Sequence, residues 1–458
     1  MQDRKDLNDK QINRDLLRSM LETPLSFWIT AAGLGIAVLA AAVCVAYMMN
    51  RGLGVTGLNR PVFWGFFITN FVFWVGISHA GVMLSAILRL AQAEWRRPAT
   101  RAAEVLTVFA LATAMTMPLI HAGRPWRVAY WAFPYDFSHG IWPNIRSALV
   151  WDPTAILTYL TCSALFVFVA LIPDLGVARD RTTGWRHSLY SVLSLGWIGT
   201  ARQWRLQAIA GILLSALILP VFVSVHSIVS WDFGMAMSVE SWHSTIMAPY
   251  FVIGAVHSGV AAVVTVMLIL RWLFHWEAYI RMEHIDSLAR LLIVVATTWF
   301  FFFLLEFVFG LYGGEAQEII LREMQIGQKP WVYLYIVFLF TAFFIPVSMW
   351  LSKRVRHSVG LMIFSTVCVN IGMWLERFII VVPGLARKQS LSFSWYTYAP
   401  SPVEVIIVAG TFGLVLLGVL MFSKLFPLIP LYDEKEGQRL RDEIQIGRVK
   451  VPAVFHEE

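Results

Sequence analysis

Of 458 residues, 58% are hydrophobic and only 14% charged, with a mean hydropathy of +0.65. A soluble domain carries roughly 25% charged residues, so this much apolar surface excludes an ordinary soluble protein and makes lipid the solvent for much of the chain. The net charge of +7 and pI of 9.4 do not signal a nucleic-acid binder, because Lys and Arg gather between apolar runs, where they set membrane orientation.

The first residues, MQDRKDLNDKQINRDLLRSM, are polar and lack an apolar core, so 1–24 reads as a tail without a cleaved signal peptide. Apolar runs able to cross a hydrocarbon core of about 30 Å then follow one another. The first five lie near 25–48, 61–90, 102–120, 154–173 and 206–229. Five more lie near 245–270, 290–312, 331–351, 358–382 and 402–423. The expectation is an all-α integral membrane protein of about ten spans, with a transmembrane domain over 25–425 and a C-terminal tail over 426–458.

Of the 36 Lys and Arg, 26 lie in or beside the two tails and the links that share their side, against nine on the opposite side, and Arg377 sits inside span 9. The positive-inside rule then makes both termini cytoplasmic. The link between spans 3 and 4 (121–153) faces outward and is rich in Trp, Tyr, Phe and Pro. An aromatic belt at headgroup level explains part of it; its length points to a lid or docking surface folded over the helix ends. His139, Glu240 and His243 lie in outward links and read as solvated.

FWVGISHAGV (73–82) in span 2 matches FVIGAVHSGV (251–260) in span 6 at an offset of 178 residues, which pairs Trp64 with Trp242, Gly76 with Gly254, His79 with His257 and Gly81 with Gly259. Four spans separate the copies, so both cross in the same direction. Two parallel four-helix bundles follow, spans 2–5 (repeat about 61–229) and spans 6–9 (about 245–382), with spans 1 and 10 flanking them. The small residues within each copy suit close helix packing.

Cys44, Cys162 and Cys368 each lie in an apolar stretch without CxxC spacing. An iron–sulfur cluster takes about four thiolates, so they read as structural. Bis-histidine haem b takes two His on facing helices, and cytochromes of that type usually place two on one helix at matched depths. His79 and His257 are single, in equivalent places of two repeats, and no metal or haem is assigned to the chain.

Ionisable groups at membrane depth are costly and mark function. His121 closes span 3 and Asp152 opens span 4, and the intervening link returns them to the same depth. A His beside a carboxylate can take and relay quinol protons, and Arg124 is placed to pair with that carboxylate or bind a ring oxygen. An interfacial polar cluster capping two helices accounts for the same residues equally well. His79, His226, Asp232, His257, Glu306, Glu376 and Arg377 are candidates for a proton path, or for paired charges that tie helices together. Glu376 and Arg377 point about 100° apart on a helix and need not pair.

With ten spans, the parallel repeat and the stretches FWVGISHAG (73–81), WRRPATRAAE (95–104), HAGRPW (121–126), HSIVSWDF (226–233) and WLERFIIVVPGL (374–385), the chain resembles the NrfD/polysulfide-reductase membrane-subunit family over nearly all of 25–425. The likeness is greatest to the ActC branch of bacterial alternative complex III. That resemblance implies menaquinol oxidation at the outward face of a bacterial inner membrane, with a conserved His and Asp mapped onto His121 and Asp152. It further implies an iron–sulfur subunit on the outer face, multihaem cytochrome c subunits, a second NrfD-like membrane subunit, and proton conduction through the bundles. Two other function classes fit a ten-span chain: a secondary transporter on parallel repeats, and a structural anchor for soluble redox subunits.

Overall fold

Each apolar run forms one helix long enough to span a bilayer in the computed structural model, which describes residues 9–127, 140, 148–237, 239–387, 398–439, 443–446 and 449–452. Spans 1–5 are Leu25–Arg51, Phe66–Leu90, Arg97–His121, Val150–Asp180 and Ala201–Ala236. Spans 6–10 are Met247–Phe274, Met282–Gly313, Trp331–Leu351, Val359–Ala386 and Pro402–Leu425. Several helices outrun their apolar stretch, as where span 3 begins at Arg97 and span 7 at Met282. Backbone N–H and C=O groups have no water partners near the hydrocarbon, so continuing the helix is the cheapest way to satisfy them.

Spans 2 to 5 pack in a ring, each on the next, with span 5 returning to span 2. Spans 6 to 9 form a second ring of the same order. The rings join where span 2 packs on spans 6 and 9 and where span 5 packs on span 6. Span 1 packs along span 10, and span 10 packs on span 3. The protein buries 89% of the most apolar window of span 2 and only 6% of that of span 1, so the first repeat helix is central and the flanking one faces lipid.

Small residues set the central crossing. A β-carbon on Gly259 would stand 2.9 Å from the Ala80 amide nitrogen and 3.0 Å from the Ile77 carbonyl oxygen, so spans 2 and 6 touch backbone to backbone there. Its repeat counterpart Gly81 leaves room for Thr107 of span 3, whose hydroxyl accepts the Gly81 N–H at 3.0 Å. Trp64 and Trp242, which the repeat pairs, stack on one another at 5.7 Å and 16°.

Shorter elements lie outside the sequence expectation. The N-terminal tail holds a helix, Asp9–Leu21, whose buried Ile12, Leu16 and Met20 recur every fourth residue and pack on span 10 and on the tail helix Leu431–Arg439. Helices Trp185–Leu193 and Ala316–Gly327 occupy the 4–5 and 7–8 links, and Glu443–Ile446 pairs antiparallel with Val449–Pro452. Both tails and the 4–5 link gather at one end of the bundles, where Arg186 Nη1 donates to Met20 O at 3.0 Å and the Tyr190 hydroxyl to Leu425 O at 2.7 Å. His121 stands at the other end. Most of the 3–4 link, including His139, lies outside the described residues.

Candidate functional site

At the end of the bundle away from the tails, spans 2 to 5 splay around a cavity of about 380 Å3, inside the range of roughly 300–1,000 Å3 typical of small-molecule pockets. Its walls are apolar and aromatic: Trp64, Ile68, Phe71, Met115, Leu119 and Phe233 among them. Two prolines, Pro118 of span 3 and Pro153 of span 4, also line it. A proline inside a helix removes a backbone donor and crowds the preceding turn, which helps separate the helix ends here. Trp64 closes one side, edge-on to Phe233 at 5.4 Å.

Three titratable side chains line this otherwise apolar space: His121, Asp152 and Asp232. His121 comes from the last residue of span 3 and sits edge-on to Phe67 at 6.5 Å, with its Nδ1 buried and without a hydrogen-bond partner. Asp152 comes from the first turn of span 4, with one carboxylate oxygen buried and unpartnered. Asp232 comes from the foot of span 5, where Asp232–Ala236 widens into π-helical geometry, and neither of its oxygens is satisfied. The two carboxyls are close enough to share a hydrogen bond once one of them carries a proton. Unpartnered buried polar atoms are expensive, so this cluster suits a ligand that donates and accepts hydrogen bonds. His121 and Asp152 are only half-buried, so the cavity is open to the surroundings.

The sequence groups Asp232 with the deeper polar residues, because 80 positions separate it from Asp152. Span parity carries the better signal: the end of span 3, the start of span 4 and the end of span 5 all lie on one side of the membrane. Arg124 does not line the cavity; the chain leaves the helix through Gly123 at φ +66°, and Arg124 is exposed with no ion pair among the described residues.

Below the cavity a line of buried polar groups enters the bundles. His226, six residues before Asp232, is fully buried with both ring nitrogens unpartnered, and its ring centre lies 4.6 Å from that of His79. The His79 nitrogens contact Val75 O at 2.8 Å and Phe222 O at 3.1 Å; a neutral imidazole can donate to only one of these. His257 contacts Ala342 O of span 8 at 3.0 Å, so the two repeat histidines have different surroundings.

Glu376 and Arg377 do pair, Arg377 Nη1 donating to Glu376 Oε2 at 2.6 Å. Both are buried, and the long arginine reaches back over the Phe251 ring at 4.6 Å. Glu376 Oε1 also accepts the Trp299 indole N–H at 3.0 Å and the Tyr250 hydroxyl. Glu306 stands apart at the end of span 7, accepting the Ser244 hydroxyl at 2.5 Å, with Arg322 at 3.8 Å. Among the described residues no group of three His, Cys, Asp or Glu is arranged to hold a metal ion. Glu240 and His243 are exposed; Glu240 lies 3.6 Å from Arg387, and His243 Nε2 contacts Met237 O at 3.1 Å.

Residues 54–388, nearly three quarters of the chain, match the family described as polysulphide reductase, NrfD. A selenate reductase subunit of Mesobacillus selenatarsenatis is 23% identical over 412 residues, covering 85% of this chain and 90% of that protein. The Hdr-like menaquinol oxidoreductase integral membrane subunit of Archaeoglobus fulgidus is 20% identical over 405 residues, covering 84% and 90%. A putative dimethyl sulfoxide reductase membrane subunit of Halobacterium salinarum is 25% identical over 224 residues, covering 49% and 47%. Two of these likenesses run nearly end to end and the family match takes in spans 2 to 9, so the chain belongs to the polysulphide reductase NrfD family.

Proposed function

We propose that this chain is the quinol-binding membrane subunit of an oxidoreductase complex, and that it oxidises menaquinol at the His121, Asp152 and Asp232 cavity. One observation carries the reading: titratable groups from spans 3, 4 and 5 converge, unpartnered, on an open apolar cavity. The apolar walls suit a quinol ring and the first units of its tail. The menaquinol assignment rests on the likeness to a subunit whose own name specifies that substrate.

Oxidation of one quinol breaks two O–H bonds, releasing two protons and two electrons. His121 accepts the proton of one ring hydroxyl, and the Asp152–Asp232 pair accepts the other. Two close carboxyls resist carrying two negative charges and readily hold one proton between them. The electrons leave to an acceptor on a partner subunit, read from the family resemblance as an iron–sulfur protein feeding multihaem cytochrome c. The charge bias of the links supports cytoplasmic termini; on that reading the cavity opens at the outer face of a bacterial inner membrane and the protons leave outward. Within the family we favour the ActC branch of alternative complex III, with a second NrfD-like membrane subunit alongside.

A proton path through the first bundle would run from Asp232 by His226 to His79. Beyond it, Thr107 Oγ1 and the Tyr159 hydroxyl donate to Ser78 O at 2.6 and 3.0 Å, and Glu104 lies one turn from Thr107. In the second bundle, Glu306 and Glu376 border one small cavity of about 50 Å3, with Arg377 and His257 deeper in the same ring.

The test is Asp152→Asn in the intact complex. Quinol-dependent reduction of the partner acceptor should be lost while the make-up of the complex stays the same. An unchanged rate would remove the site assignment.

A further inference from the structure

The link between spans 4 and 5 exposes large apolar side chains: Trp185 is 63% exposed, Val192 71%, Leu195 67% and Ile198 74%. Trp185 and Val192 stand two turns apart on one face of the helix Trp185–Leu193, and Leu195 and Ile198 follow directly. This is not the looseness of a free loop. The opposite side is fastened to the bundle: Tyr190 is fully buried with its hydroxyl on Leu425 O, Trp197 packs edge-on to Trp204 at 4.8 Å, and Arg179 Nη1 donates to Trp197 O at 3.0 Å. The fold holds a tryptophan and three aliphatic side chains outward.

Their level in the membrane follows from the spans on either side. Span 4 ends at Asp180 and span 5 begins at Ala201, and the lipid-facing Leu206, Ile209 and Leu213 come within the first turns of span 5. The link therefore lies where hydrocarbon gives way to headgroups. Arg181, Arg202 and Arg205 flank it, all exposed and without an ion pair among the described residues. An apolar face with Trp at that depth and a rim of arginines is the pattern of an interfacial helix drawn to negative lipid.

We propose that the 181–205 segment is an interfacial anchor that binds anionic phospholipid headgroups in the leaflet on the side of the two tails. Trp185, Val192, Leu195 and Ile198 enter the outer edge of the acyl layer, and Arg181, Arg202 and Arg205 hold the lipid phosphates. The occupant is lipid and not a further protein, because the exposed face runs directly into lipid-facing helix and its free charges complement phosphodiesters. The inference does not depend on the quinol reading.

The experiment uses the full chain in nanodiscs of phosphatidylcholine mixed with phosphatidylglycerol, exchanged into mild detergent, with the retained lipid measured by mass spectrometry. The wild type should retain phosphatidylglycerol preferentially. That preference should fall about fivefold for each arginine replaced, in R181Q, R202Q and R205Q singly and together. An unshifted melting temperature and elution volume identify folded variants, and if the triple variant fails them the single variants carry the test. A spin label at Val192→Cys, with the native cysteines replaced, should relax with lipid-dissolved oxygen and not with a water-soluble nickel chelate. An unchanged phosphatidylglycerol preference in folded variants overturns the proposal. So does a label reached by nickel alone, or one shielded from both reagents, which would assign the face to a protein partner.

Discussion

Asp152 and Asp232, 80 residues apart on spans 4 and 5, bring their carboxyls within hydrogen-bonding reach in one apolar cavity. Among the described residues neither has a Lys or Arg paired with it, so the two do not form a salt-bridged helix tie. Together they have the form of a proton acceptor waiting for a donor. Asp232→Asn should therefore lower quinol-dependent turnover by about 10²-fold or more without changing assembly. Steady-state kinetics on the purified complex decides it; a variant with wild-type kcat would return Asp232 to a packing role.

His121 shares with Asp152 a buried, unpartnered polar atom, its Nδ1, on a residue that is only half-buried. His121→Ala should cost a similar factor of about 10²–10⁴ in rate. The space vacated opens onto the cavity, so added imidazole should restore part of the rate, whereas it should not rescue Asp152→Asn. No rescue together with a full loss of quinol-analogue binding would make His121 a wall of the pocket and not its base.

Much of this arrangement is legible in the sequence. The ten spans follow from run length alone, because a chain in lipid has few ways to satisfy its backbone. His121 and Asp152 stand out as ionisable groups at the ends of consecutive helices. The pairing of Asp152 with Asp232 is less visible, since it depends on the ring order of spans 2 to 5, which only packing reveals. The Glu376–Arg377 contact runs against helical geometry: adjacent residues diverge by about 100°, yet a buried arginine is long enough to turn back on its neighbour. The helix Asp9–Leu21 hides in a charged tail, its every-fourth-residue apolar stripe too short to register beside the spans.

The crossing of spans 2 and 6 makes a test of the fold separate from the chemistry. Gly259→Val would drive side-chain atoms into the Ala80 amide and the Ile77 carbonyl, contacts that backbone cannot relieve by a rotamer change. The expected destabilisation is at least about 1–3 kcal/mol, seen as a lower melting temperature in detergent. Gly76→Ala on the facing helix meets nothing nearer than 3.5 Å and should be nearly neutral. Equal effects of the two would contradict the crossing described.

The Glu376–Arg377 pair separates a structural from a conducting role. Arg377→Met alone strands a buried carboxylate that keeps only its Trp299 and Tyr250 donors, and should cost about 3–5 kcal/mol. Combining it with Glu376→Gln removes the uncompensated charge, so the double variant should recover most of that stability. A pair that serves only to tie helices would leave quinol-driven proton release intact in the recovered double variant. A pair that carries protons would leave the double variant stable, able to oxidise quinol, and reduced in proton release per electron when reconstituted in vesicles with a pH-sensitive dye. Stability and proton yield thus move independently, and the pair of variants assigns Glu376 to one role or the other.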